Sequence, residues 1–78
     1  MKNLIQNLRQ KFSNLEVVDN KIILRTFYKN GNLKNWYTVD EREDGYFHLT
    51  RGGIHLTYGS EEYIQDTVVT IVFGQHLS

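Results

Sequence analysis

Two imidazoles seven residues apart, His48 and His55, are the side chains of this sequence best suited by type to move a proton or ligate a metal. Each opens a near-repeat, His48-Leu49-Thr50-Arg51-Gly52-Gly53 and His55-Leu56-Thr57-Tyr58-Gly59-Ser60, so a threonine hydroxyl follows each histidine by two positions. A histidine beside such a hydroxyl has the ingredients of general-base chemistry, but that chemistry also needs a site that excludes water and tunes the base. Zinc centres ordinarily use three or four ligands, and no third ligand accompanies this pair, since His76 stands far along the chain. The Glu41, Glu43, Asp44 cluster fits a solvated turn, and no phosphate-loop lysine follows the glycines at 52, 53 and 59. The pattern therefore predicts no enzyme, no metal and no cofactor.

A second constellation interleaves cations with aromatic rings: Arg25 and Phe27, then Lys34 and Trp36. Tryptophan and arginine are the side chains that most often dominate protein interfaces, because they join large contact area to directional bonds. The same mixture on a sheet also describes a platform for single-stranded nucleic acid, where bases stack on rings and cations meet phosphates. The plainer reading is a cross-strand Arg25–Trp36 stack, worth about 0.5–1 kcal/mol at an exposed site.

These side chains must be positioned by strands, and three glycine-marked turns set the register: Asn30-Gly31, Asp44-Gly45 and Gly52-Gly53. The Asn30-Gly31 turn predicts Tyr28 opposite Leu33, Leu24 opposite Tyr37 and Ile22 opposite Val39 on an apolar face. Arg25 then lies opposite Trp36, and Phe27 opposite Lys34, on the other. A three-residue connection Glu43-Asp44-Gly45, with glycine in the left-handed position of a bulge, puts Phe47 and Leu49 on the apolar face. A two-residue Asp44-Gly45 turn would put His48 and Thr50 there, and the hydrophobic pattern selects the first register. Across Gly52-Gly53 the expected pairs are Leu49 with Leu56, Phe47 with Tyr58, Thr50 with His55, and His48 with Thr57.

At the ends of the chain the period changes. Leu4, Ile5, Leu8, Phe12 and Leu15 predict an amphipathic helix of about three turns, ending near Asn14 or Asp19-Asn20. After Gly59, Ser60 is a helix N-cap with Glu61 and Glu62 in the first turn; Ile64, Thr67, Val68, Ile71 and Val72 form an inward stripe, and Gly74 is the stop. The β-branched run from Thr67 to Val72 also suits a fifth strand, and the caps favour the helix. The sum is one domain over residues 1–78 of the α+β class: a two-layer fold with a four-stranded antiparallel meander, an N-terminal and a C-terminal helix on one face, and order α-β-β-β-β-α.

The opposite face would display Ile23, Arg25, Phe27, Lys34, Trp36, Thr38, Tyr46, His48, Thr50, His55 and Thr57. Seventy-eight residues bury only about 60% of the unfolded surface, which leaves little room for an enclosed active site. Nine basic and nine acidic side chains cancel, so phosphate attraction has no global charge to draw on. No apolar run resembles a signal-peptide core or membrane span, and no cysteine is present, so a soluble cytoplasmic protein that does not enter a membrane is expected. The expected function is a non-catalytic protein-binding module whose contacts are Ile23, Arg25, Phe27, Lys34, Trp36, Tyr46, His48 and His55. Its partner would be another protein or a second copy of the chain, with single-stranded nucleic acid as the alternative. By class analogy, a small cysteine-free domain with one concentrated contact face is similar to phage and mobile-element proteins that inhibit host defence, anti-CRISPRs among them.

Overall fold

In the computed structural model, which describes residues 1–74, five strands form one antiparallel sheet and two helices cover one of its faces. Helix α1 spans Lys2–Arg9 and helix α2 Glu61–Val68, the latter continuing as a π-helical segment over Val69–Phe73. The strands are β1 Glu16–Val18, β2 Lys21–Phe27, β3 Leu33–Glu41, β4 Phe47–Arg51 and β5 Ile54–Gly59. Each lies beside its neighbours in sequence, so the order across the sheet is β1-β2-β3-β4-β5. The α+β class and the meander are as expected, with one strand more.

That added strand is β1. Val18 pairs with Lys21 across Asp19-Asn20, and both turn residues take positive φ, 50° and 62°. Two consecutive left-handed residues are what a tight primed hairpin turn requires, and Asp and Asn are the non-glycine residues that tolerate it best. Helix α1 is correspondingly shorter than the three turns expected. Phe12 and Leu15 are nevertheless buried, held by the turns that follow the helix.

Leu4 and Leu8 of α1 and Ile64, Val68 and Val72 of the C-terminal helical segment pack on Ile22, Leu24, Tyr37, Val39, Phe47 and Leu49 of the sheet. Ser60 Oγ accepts from the Tyr63 backbone N–H at 3.2 Å, so the N-cap is as expected, with Glu61 and Glu62 in the first turn. Helix, not strand, is the state of Thr67 to Val72. Gly74 does not adopt the left-handed stop conformation: its φ of −60° and ψ of −41° are right-handed helical. Among the described residues no helix is long and apolar enough to cross a membrane.

The three glycine turns form where expected, with positive φ at Gly31, Gly45, Gly52 and Gly53. Arg42 and Tyr46 bracket Glu43-Asp44-Gly45 with a 3.0 Å backbone bond, and Val39 pairs with Leu49, which is the three-residue loop. Two pairings differ by one residue. A bulge between Thr26 and Phe27 sets Phe27 opposite Leu33 in place of Lys34, and the Tyr28 N–H meets Asn32 in place of Leu33. A second bulge keeps Thr50 opposite His55 but moves Leu49 to Thr57, His48 to Tyr58 and Phe47 to Gly59.

Gly31 has φ +90° and open space around its α-carbon. Gly31→Val should therefore destabilise through backbone strain alone, by about 1–2 kcal/mol. Chemical denaturation of the variant checks this, and an unchanged midpoint would show that the turn does not need a left-handed residue.

Candidate functional site

With both helices on one face, the other carries five columns of side chains, and the ladder register fixes their rows. Lys21, Asp40, His48 and Tyr58 form one row; Ile23, Thr38, Thr50 and His55 the next; Arg25 and Trp36 the one beyond. The middle row is tied together where the Thr38 and Thr50 hydroxyls hydrogen-bond. Of the eight expected contact residues, seven lie on this face or its rim as read from the sequence. Lys34 is the exception in register: it is the extra residue of the first bulge, and its ammonium lies 5.8 Å from the centre of the Tyr28 ring.

The face divides into an apolar end and a polar one. At the apolar end, Phe27 and Leu33 oppose each other with Trp36 at the next outward position on β3, and they are 48%, 49% and 40% exposed. Arg25 borders this patch, but its guanidinium binds Glu16 Oε1 at 2.9 Å and its carbonyl accepts from Asn14 Nδ2. The Glu16 partner comes from β1, the strand not foreseen, so the neutralisation of Arg25 was not foreseen either.

The polar end is a connected chain of rings and one carboxylate. His48 Nε2 lies 2.9 Å from Asp44 Oδ2, and His48 Nδ1 lies 3.0 Å from His55 Nε2. Tyr58 stacks on His48 with ring centres 5.1 Å apart and planes 12° apart, and Tyr46 meets Tyr58 edge-on at 5.7 Å. His48 is thereby 93% covered, in contrast to the exposed imidazole that an open sheet face would suggest, while His55 remains exposed. Asp44 is held below the ordinary carboxylate range, chiefly by the Tyr46 backbone N–H on its other oxygen and then by His48. A carboxylate oxygen only accepts, so in a neutral His48 that donates from Nε2 to Asp44 the Nδ1 atom is left to accept from His55.

Comparison with protein-family models, with curated proteins and with solved structures finds no match. The reading of the site therefore rests on its geometry.

Sequence reasoning missed Tyr58 and misplaced Thr57, both through the second bulge. Tyr58 was expected on the core face and stands outward on His48; Thr57 was expected outward and instead shares a 3.1 Å hydrogen bond with the Tyr63 hydroxyl of α2. Gly59 shows why. It occupies the core-face position opposite Phe47, and a β-carbon there would lie 2.5 Å from the Tyr63 ring, so a tyrosine at that position has no space. Asp44, read as part of a solvated turn, is the hydrogen-bond anchor of His48. Asp and His at i and i+4 across a bulged turn is the signal that was present. Among the described residues no group of three or more His, Cys, Asp or Glu side chains is arranged to hold a metal ion, and His76 lies outside them.

Proposed function

We propose that this protein is a non-catalytic protein-binding module whose contact surface is the apolar end of the open sheet face. The observation that supports this reading is the exposed Phe27, Leu33 and Trp36 cluster on a rigid sheet, bordered by Ile23 and the Arg25–Glu16 pair. Contiguous exposed apolar surface of this kind marks interaction sites. Trp36 within the patch and Arg25 at its border are of the residue types that anchor interfaces. The partner is another protein or a second copy of the chain. Occupying a surface of a host defence machine, as phage and mobile-element inhibitors do, is the narrower role within this reading, and a cytoplasmic setting fits the absence of cysteine.

Single-stranded nucleic acid is the competing partner, and charge argues against it. Arg25 is paired with Glu16, Asp40 and Asp44 lie at the polar end, and the chain has no net charge. Phosphate-dominated binding through several cations would weaken by about a hundredfold or more between about 50 and 200 mM salt, whereas burial of an apolar patch changes little. Affinity capture with the wild-type chain, followed by a salt titration of what is recovered, is expected to show near-constant affinity. Trp36→Ala should reduce that affinity at least about tenfold with the fold intact. Steep salt dependence together with nuclease sensitivity would overturn the protein-partner reading.

A further inference from the structure

The polar end of the face offers a second, chemically different site. We propose that His48 Nδ1 and His55 Nε2 form a two-nitrogen chelate for a borderline divalent transition-metal ion such as Zn²⁺ or Ni²⁺. Two imidazole nitrogens on one tetrahedral ion at about 2.0–2.1 Å stand roughly 3.3–3.4 Å apart; these two are hydrogen-bonded to each other at 3.0 Å, so a turn of the His55 ring that breaks this bond makes room for an ion between them. They come from neighbouring rows of adjacent strands, so the β4–β5 ladder, and not a loop, keeps the two rings within reach of each other.

The surrounding groups add what such a ligand pair needs. A metal-binding histidine normally donates its second ring N–H to a carboxylate, which fixes the tautomer and makes the ligating nitrogen more basic. His48 has that arrangement: Asp44 accepts the hydrogen bond from Nε2–H, which leaves the Nδ1 lone pair facing His55. Tyr58, stacked flat on the ring, holds the His48 plane in place. His55 is exposed and free to turn its Nε2 lone pair beside that of His48. With both imidazoles neutral and His48 donating to Asp44, it is His55 Nε2 that carries the proton between the rings in the ion-free pair. Binding moves that proton to His55 Nδ1 through solvent, so a neutral pair takes up the ion with no net change in protonation. Two protein ligands leave the remaining positions to water, making this an open, exchanging site and not a closed structural one. The ion needs no protein partner, so the site stands apart from the contact patch at Trp36.

Titration of the untagged chain with zinc chloride, followed by the imidazole nitrogen resonances, tests this. The expected result is saturable shifts at His48 Nδ1 and His55 Nε2 with one ion per chain, and none with magnesium, which prefers oxygen ligands. His55→Ala, at an exposed position that leaves the fold intact by circular dichroism, should abolish saturation over the same range. Asp44→Asn should weaken affinity about tenfold or more while retaining both ligands, and His76→Ala should leave binding unchanged. Unshifted imidazoles, binding by His55→Ala as tight as wild type, or loss of binding in His76→Ala would each overturn the proposal.

Discussion

Leu24→Ala is expected to lower the free energy of unfolding by about 2–4 kcal/mol, the range for truncating a packed leucine, while Trp36→Ala costs far less. Leu24 is 1% exposed and packs beneath the helices opposite Tyr37, so its removal leaves a cavity that the surrounding leucines and the Tyr37 ring cannot fill without shifting. Trp36 stands on the other face, two-fifths exposed, and its loss surrenders partial burial with no enclosed void. Urea unfolding of both variants measures the contrast. A larger loss for Trp36→Ala would reverse the two faces and turn the proposed contact surface into the core.

The second large effect is expected at Gly59. Gly59→Val should destabilise by about 1–3 kcal/mol, as overpacking does, through collision with one side chain. A β-carbon at this position would meet Tyr63 Cδ2 at 2.5 Å and Cγ at 3.2 Å, ring atoms near the root of the side chain that cannot bend aside. Relief requires the whole ring to swing away, which breaks the Tyr63–Thr57 hydroxyl contact and tilts the first turn of α2 from β5. The same substitution in a Tyr63→Ala background should cost much less. Equal costs in the two backgrounds, measured as a double-mutant cycle, would remove Tyr63 as the cause.

These two positions also mark how far the sequence could be read. Leu24, Ile22, Tyr37 and Val39 share a face because alternation and the Asn30-Gly31 turn leave no other register that buries them, and the pairs form as read. The Glu43-Asp44-Gly45 loop was legible for the same reason: only an odd loop sends Phe47 and Leu49 inward. Both bulges were illegible, because each inserts a single residue whose placement answers to tertiary contacts. At Gly59 that contact is Tyr63, which precedes any local preference of Tyr58 for the core. Strand β1 escaped for another reason. Three residues carry little period, and Asp19-Asn20 signals a break as readily as a hairpin until its left-handed backbone is seen. With β1 unseen, Glu16 was missing from the account of Arg25, and with Tyr58 misplaced, the covered His48 looked open.

The coincidence of chain order and sheet order bears on how the molecule assembles. Successive strands are separated by two or five residues, so every pairing in the sheet closes a short loop, and short-range closure makes for rapid folding. What remains is the meeting of α1 with α2, which joins Asn7 to Gln65 and the Met1 amino group to Glu61 across nearly the whole chain. The entropic cost of that encounter grows only slowly with the length enclosed, and a preformed sheet shortens the effective distance further. The sheet is thus closed by neighbours alone, and among the described residues the hydrogen bonds that tie the first residues of the chain to α2 are the ones that span the greatest length of it.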